Sequence, residues 1–216
     1  MRAILFANGV LENWPENLTI HADRDLIIAA DGGTAHCRRR SITPHVVVGD
    51  MDSIGAEDLS RLQSDGVEII RHPRRKDYTD LELALRLALE RGADRLIVLG
   101  GLGLRWDMTL ANVLVLAAPF LKDTDVRLLD GRYELACLHG GQSRGFNGQP
   151  GDVLSLLPLS ENTCGVTLQG LEYPLLNAAI PMGATLGVSN TFTRKQAAVS
   201  LQKGLLLVTI TRKRAA

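Results

Sequence analysis

Two carboxylates one residue apart, Asp50 and Asp52, close the apolar run Val46-Val47-Val48-Gly49. Three β-branched residues predict a buried strand, and Gly49 lets the backbone turn at its carboxyl end. A hard cation such as Mg²⁺ is held by one or two carboxylates together with substrate phosphate oxygens. An Asp-x-Asp at a strand tip supplies those carboxylates compactly. The same segment, with Ser53 after it, also suits a polar turn whose side chains cap the next helix.

Other chemistry-bearing residues recur at similar places. Asp31-Gly32-Gly33 follows the apolar run Leu26 to Ala30, and the glycines allow a close approach of backbone to a ligand. Lys76-Asp77-Tyr78-Thr79-Asp80 lies between a strand end and a helix start, where an anion is welcome, and Lys76 beside acids that hold metal suits phosphate. Thr79 and Glu82 fit a capping box, which leaves Asp77 and Asp80 with no compelling structural task. After Leu96 to Leu99 comes Gly100-Gly101-Leu102-Gly103-Leu104-Arg105-Trp106-Asp107. There Arg105 offers a bidentate fork to phosphate and Asp107 opens a helix. Asn112, within that otherwise apolar helix, requires a hydrogen-bond partner.

The elements that position these residues read in order. Strands are expected over 2–7, 26–30, 46–49, 67–70, 96–99 and 126–130. Helices are expected over 34–40, 56–64, from Thr79 to a stop at Gly92, and over 109–118. Strands alternating with helices predict a parallel α/β sheet, whose ligands bind outside the strands' carboxyl ends. Asp31, Asp50, Asp52, Asp77, Asp80, Arg105 and Asp107 all follow strand ends, which predicts a metal–polyphosphate site.

After Gly131 the pattern changes. Short strand candidates at 133–138, 153–157, 164–168, 186–188, 198–201 and 205–211 are separated by Gly, Pro and Asn turns. The expected fold class is therefore α/β: a parallel-sheet nucleotide-binding domain over 1–132, followed by a small all-β sandwich over 133–216. The second is small for an independent domain.

Bulk properties narrow the classes. Lys+Arg and Asp+Glu both number 24 among 216 residues, a balance that argues against nucleic acid as the main partner. No apolar run is long enough to span a bilayer, so no membrane partner is expected. The apolar run at 3–7 is too short for a signal-peptide core. The three cysteines, Cys37, Cys137 and Cys164, are odd in number and lack zinc-like spacing, which fits reduced thiols in the cytoplasm.

In this order, Asp31-Gly32-Gly33, Gly49-Asp50-Met51-Asp52-Ser53, Lys76-Asp77-Tyr78-Thr79-Asp80 and Arg105-Trp106-Asp107-Met108-Thr109-Leu110-Ala111-Asn112 resemble the motifs of the thiamine pyrophosphokinases. Ser189-Asn190, ahead of a last hairpin, resembles that family's ending. The resemblance covers nearly the whole chain, and the combination is specific although each motif alone is not. It implies transfer of a diphosphoryl group from ATP to the hydroxyethyl oxygen of thiamine, releasing AMP, by a homodimer. Each site would join the first domain of one subunit to the second domain of its partner. By motif match, Asp50, Asp52 and Asp80 would hold Mg²⁺ or order its waters, with Asp31 and Asp77 nearby. Lys76 and Arg105 would neutralise phosphate charge, Asp107 and Thr109 would shape the pocket, and Ser53 would contact the nucleotide. Ser189 and Asn190 would face thiamine.

The chain departs from the family pattern at Met108, where His is usual, and at Leu104, where Gly is frequent. An aromatic residue often found near the last strand is replaced within 205–207. Alternative readings are a related pterin-alcohol diphosphokinase, an Asp-x-Asp nucleotide-sugar transferase, an aspartyl-phosphate phosphatase with Asp50 as nucleophile, and a nucleotide sensor without turnover. The transferase reading leaves Asp77, Asp80 and Asp107 unexplained.

Overall fold

The computed structural model describes residues 1–213, so the last three residues of the expected second domain, 214–216, lie outside the described residues. The described residues form two compact units. The first comprises Met1–Val115 and Thr124–Gly131, the second Leu116–Asp123 and the chain from Arg132 onward.

The first unit contains strands β1 (Arg2–Phe6), β2 (Leu26–Ala30), β3 (Val46–Gly49), β4 (Glu68–Arg71), β5 (Arg95–Leu99) and β6 (Asp125–Asp130). Its helices are α1 (Thr34–Arg39), α2 (Ala56–Ser64), α3 (Asp80–Glu90) and α4 (Trp106–Leu114). The strands lie in the order β6-β5-β1-β2-β3-β4 and every neighbouring pair is parallel. The chain builds outward from β1 to β4, then returns to place β5 on the other side of β1. The strand order thus reverses between β1 and β5, where open α/β sheets bind their ligands.

Both faces of this sheet are covered, which is why its central strands are continuous apolar runs. On one face Ile4, Phe6, Ile27, Val47 and Leu99 pack with Leu11, Leu18, Cys37 and Leu62. On the other, α3 packs on β1, β2 and β3 and buries Leu81, Ala84, Leu85 and Ala88, spaced for one helical face. The Thr79 hydroxyl accepts the Glu82 amide at 3.2 Å, so the cap forms as expected. The Glu82 carboxylate is held instead by Arg86, at 2.7 Å. Gly92 (φ 83) closes α3 in the left-handed conformation that glycine tolerates.

The fourth helix begins three residues before the expected Thr109. Arg105 is extended and serves as the N-cap, and Asp107 enters the first turn, where its charge suits the helix dipole. The regular helix stops at Leu114 rather than 118. Residues Val115–Ala117 tighten into a 3₁₀ turn, and Ala118 is extended ahead of Pro119.

The second unit is two antiparallel sheets. Its strands are β7 (Tyr133–His139), β8 (Ser143–Asn147), β9 (Val153–Pro158), β10 (Cys164–Gln169), β11 (Leu175–Ala179), β12 (Asn190–Thr191), β13 (Gln196–Ser200) and β14 (Leu205–Thr211). One sheet runs β12-β9-β14-β7, the other β11-β10-β13-β8. Leu138, Leu156 and Val208 from the first meet Phe146, Val166 and Val199 from the second in one core, the sandwich arrangement expected. The strand expected at 186–188 is a turn instead. Val188 N–H bonds the Thr185 carbonyl at 3.1 Å, and Gly187 (φ 93) and Ser189 (φ 60) are left-handed, so the segment turns rather than extends. No helix among the described residues is long and apolar enough to cross a membrane.

One ion pair ties the first strand to the segment before β2. Asp25 is buried and accepts from Arg2 through Nε at 2.8 Å and Nη2 at 2.5 Å, and from the His21 amide at 2.7 Å. Burial pushes the Asp25 carboxyl up, but the Arg2 and His21 hydrogen bonds outweigh it and hold it below its ordinary 3.8. A depressed folded-state pKa contributes stability above the unfolded value that is lost as pH falls through the folded value. Chemical denaturation should therefore show stability dropping as the solution is acidified below 3.8, and Asp25→Asn should flatten that part of the profile. At neutral pH the substitution should cost about 3 kcal/mol, because Arg2 loses its buried partner.

Candidate active site

Asp31, Asp50, Asp52, Lys76 and Asp80 meet at the carboxyl ends of β2 and β3 and the start of α3, whereas Arg105 stands on α4. Met51 (φ 68) drops its side chain into the core, anchoring the turn between Asp50 and Asp52. The Asp52 amide donates to Asp50 Oδ1 at 3.1 Å, and the Ser53 hydroxyl to Asp52 Oδ1 at 3.2 Å. Helix α2 takes Gly55 as N-cap with no side-chain cap, so none of these polar groups is spent on capping. Asp31 (φ 44) ends β2 in the left-handed region and turns its carboxylate to the same place. One carboxylate oxygen from each of Asp31, Asp50 and Asp52 lies within 4.8 Å of the others.

Gly49 makes room for this cluster. A Cβ there would stand 2.9 Å from Asp31 Cβ and 3.1 Å from Asp80 Oδ1, so Asp80 borders the same space. Lys76 Nζ lies 3.0 Å from Asp80 Oδ1 and 3.8 Å from Asp50 Oδ2, and Arg74 Nε lies 3.8 Å from Asp52 Oδ2. Burial pushes the Asp80 carboxyl above its usual range; Lys76 opposes the shift, and the charges of Asp31 and Asp50 add to it. The Asp52 amide holds Asp50 below that range, with burial opposing and Lys76 assisting. Asp31 Oδ1 is buried without a hydrogen-bond partner among the described residues. A buried anionic oxygen beside two further carboxylates is a donor set that fits a hard divalent cation.

The remaining expected site residues fall into two groups. Asp77 is exposed on the loop before α3. Arg105 and Asp107 grip each other in two bonds, 2.5 and 3.1 Å, on the exposed first turn of α4. That contact holds Asp107 below its usual range. Thr109 Oγ1 accepts the Gly103 amide at 3.0 Å, and the Asn112 amide donates to the Gly101 carbonyl at 2.8 Å. These two side chains pin the glycine-rich turn to α4, and Asn112 thereby gains the partner it requires. Met108 is half-buried on the same helix.

In the second unit Ser189 is exposed and its amide donates to Ser155 Oγ at 3.0 Å. Asn190 is buried, and its side chain is spent on the fold. Its Oδ1 accepts the amides of Tyr173 and Thr191 at 3.0 Å each, and its Nδ2 donates to the Tyr173 carbonyl at 2.7 Å.

Two features escape the sequence reading. The close approach at Gly32 and Gly33 is to the protein itself. A Cβ at Gly33 would sit 2.0 Å from the Phe6 carbonyl oxygen, and one at Gly32 would sit 2.4 Å from the Asn8 side-chain amide. Asn8 therefore overlies the turn that carries Asp31. Its one signal in the sequence is its place just past β1.

A parallel sheet with carboxylates, an ammonium and a guanidinium at its strand ends, followed by an antiparallel β unit, defines an α/β phosphotransferase. Residues 18–128 match the family profile "Thiamin pyrophosphokinase, catalytic domain", and residues 144–206 match "Thiamin pyrophosphokinase, vitamin B1 binding domain". The thiamine pyrophosphokinase of Bacillus subtilis is 30% identical over 96% of this chain and 98% of its own length. Thiamin pyrophosphokinase 1 of Caenorhabditis elegans is 27% identical over 83% of this chain and 76% of its own. The crystal structure of the Bacillus subtilis protein superposes with a TM-score of 0.84 at 28% identity, covering 99% of this chain and 100% of that one. That of the Geobacillus thermodenitrificans protein gives 0.85 at 26% identity, covering 100% and 99%. The chain belongs to the thiamine pyrophosphokinase family, whose members transfer a diphosphoryl group from ATP to thiamine.

The Asn190 geometry yields a test. Asn190→Ala leaves the Tyr173 amide and carbonyl without partners, so urea denaturation should show a loss of about 2 kcal/mol. An unchanged midpoint would mean that water replaces the clasp without cost.

Proposed function

We propose that this chain is a Mg²⁺-dependent thiamine diphosphokinase. The observation that carries the reading is the meeting of the Asp31, Asp50 and Asp52 carboxylates at strand ends, with Lys76 beside them, in a chain of this family. In the reaction the hydroxyethyl oxygen of thiamine bonds to the β-phosphorus of ATP. The bond from that phosphorus to the α,β-bridging oxygen breaks, and AMP leaves with the electron pair. The hydroxyl proton passes to a carboxylate of the cluster.

Asp50, Asp52 and Asp80 would hold the cation or order its waters, with Asp31 beside them. When bound, Mg²⁺ neutralises charge on the phosphate oxygens. The chain's own contribution is position and charge, which is most of what phosphoryl transfer requires. Lys76, between Asp50 and Asp80, supplies positive charge for the phosphate oxygens. Arg105 exchanges its exposed bond to Asp107 for a phosphate fork. Ser53 contacts the nucleotide and Asp77 assists at the cluster's edge. Asp107 and Thr109 shape the pocket through α4 and the glycine-rich turn. Ser189 faces thiamine from the β unit, while Asn190 holds the Tyr173 segment in shape beside it.

We further propose a homodimer. Trp106, Leu110 and Leu114 recur every fourth residue on α4 and are 82%, 56% and 53% exposed, a stripe that a second copy would cover. We place the enzyme in the cytoplasm. Cys37 and Cys137 are buried thiols that burial pushes up to about 12 and about 11, unreactive forms suited to a reducing compartment.

The decisive assay is release of AMP from ATP and Mg²⁺ with thiamine, run beside a pterin alcohol as control acceptor. AMP formed with the pterin alone would overturn the reading. Asp52→Asn keeps shape and removes a charge; turnover should fall by two or more orders of magnitude with an unchanged melting temperature. Near-normal turnover with the same metal dependence would end the assignment of Asp52.

Met108 supports a second experiment. A thioether is a poor ligand for a hard cation and a weak hydrogen-bond acceptor, so it packs beside the pocket without a chemical task. Met108→Leu should keep most of the wild-type kcat. A collapse in rate with an intact circular-dichroism spectrum would contradict this.

A further inference from the structure

Ser189 holds a backbone conformation that serine seldom adopts, φ 60, in the turn that leads into β12. We infer that Ser155 of β9 is the positioning residue that keeps it there, and so aims the Ser189 hydroxyl at the acceptor. The inference rests on the reading above that Ser189 faces thiamine. It adds a residue that lies outside every motif pointing to a site.

The pairing of β12 with β9 is the first argument. Asn190 lies opposite Leu154 and Thr191 opposite Val153. The same antiparallel register, carried one step further, sets Ser189 opposite Ser155. There the left-handed turn ends the ladder. The Ser189 amide donates to the Ser155 hydroxyl oxygen, Oγ, at 3.0 Å rather than to a backbone carbonyl. One residue along β9, the Leu156 amide donates to the Gly187 carbonyl at 3.0 Å. The turn is thus fastened to β9 at two points, on either side of Val188.

Direction is the second. Side chains alternate along a strand. Leu154 and Leu156 enter the core between the two sheets, so Ser155 stands on the opposite face. It is half-buried there, paired with Thr209 of β14. Ser189 is exposed, and its hydroxyl makes no hydrogen bond among the described residues. Ser155 therefore takes the strained amide and leaves the Ser189 hydroxyl for a ligand.

Strain is the third. A left-handed residue other than glycine persists only where its surroundings over-determine it. Next to Ser189, the Val188 amide is held by the Thr185 carbonyl and the Asn190 side chain by Tyr173. Ser155 is the one side chain that holds the Ser189 amide itself among the described residues. Without that acceptor the amide loses its partner, the backbone relaxes from the left-handed region, and the hydroxyl swings away. Both side chains are uncharged, so the effect on the acceptor is one of geometry.

The test follows the two substrates separately. Ser155→Ala, Ser155→Thr, Ser189→Ala and the double alanine variant are compared with wild type. The readings are KM for thiamine, KM for Mg·ATP, calorimetric titration with thiamine, and urea denaturation. Ser155→Ala should weaken thiamine by roughly fivefold, the scale of one neutral hydrogen bond, and leave KM for Mg·ATP within about twofold. Ser155→Thr keeps the hydroxyl and should restore thiamine affinity. Ser155→Cys keeps the size with a weak acceptor, so it should match the alanine variant and replaces it should that variant misfold. In the double variant, Ser155→Ala should add nothing to the thiamine loss of Ser189→Ala while still lowering the urea midpoint, because it acts on thiamine only through Ser189. Additive losses of affinity, or threonine failing to restore it, would overturn the inference. A weakened Ser189→Ala beside an unaffected, folded Ser155→Ala would sink the inference alone. Unchanged thiamine binding in Ser189→Ala would instead remove the placement of Ser189 toward thiamine, and this inference with it.

Discussion

Mutual repulsion of carboxylates is the constraint on which the site depends. Asp31, Asp50 and Asp52 present oxygens within 4.8 Å of one another, with Asp80 against the same glycine. Two like charges about 4 Å apart cost roughly 4 kcal/mol at an effective dielectric of 20. No chain holds such a group without compensation. Here it comes from Lys76, from the Asp52 amide on Asp50, and from the fold that fixes each backbone. At Asp80 burial is the larger influence raising the carboxyl, and the charges of Asp31 and Asp50 add to it against Lys76. An arrangement short of positive charge favours cation entry, so the electrostatic cost in the folded chain becomes affinity once a divalent ion is offered.

The fold was legible wherever burial imposed a simple pattern. Runs such as Leu26 to Ala30 and Val46 to Val48 are apolar throughout because helices or loops cover both faces of the sheet. The end of α3 was legible because Gly92 supplies a conformation other residues resist. The second unit was less so. In β8, Ser143-Arg144-Gly145-Phe146-Asn147, one side chain of five is fully buried, so no alternation announces a strand. In β11 the pairing with β10 shifts register twice, and Asn177 is left-handed, which breaks the period. At 186–188 an apolar trio mimicked a strand, but Gly187 and Ser189 turn the chain. Strand β12 is two residues long and exists through its pairing with β9, which no local pattern encodes.

For the site, residue type at a strand end pointed to Asp31, Asp50, Asp52, Lys76 and Asp80, which meet because a parallel sheet gathers its carboxyl ends on one edge, while Arg105 and Asp107 pair with each other on α4. Residue type was a poor guide to occupation. The glycines at 32 and 33 answer to Asn8 and Phe6, and Thr109 and Asn112 are spent on the glycine-rich turn. Asn190 is consumed by the Tyr173 backbone. Each of these contacts joins residues of different elements or loops, from six residues apart at Thr109 to 27 at Gly33, and whether a polar group is already satisfied depends on such contacts. A cavity beside α1 has the same origin: residues 8–12, 35–40 and 104 are contiguous only after β1, β2 and β5 have paired.

Backbone strain marks the same places from a different direction. Among the described residues six non-glycine residues are left-handed, and four of them, Asp31, Met51, Leu104 and Ser189, lie in the segments proposed for chemistry or binding. Each costs on the order of 1 kcal/mol. Asp31 tolerates the conformation, since a short polar side chain does. Met51 is held there by burial of its side chain. Leu104 has neither support: it is 79% exposed, at a position where the family frequently carries glycine. Its retention therefore needs a reason outside the isolated backbone. Leu104 lines the cavity between the segment 8–12 and α1, so its side chain borders open space rather than packed protein. The strain at Leu104 therefore falls on the lining of a cavity, where packing does not over-determine the backbone as it does at Met51.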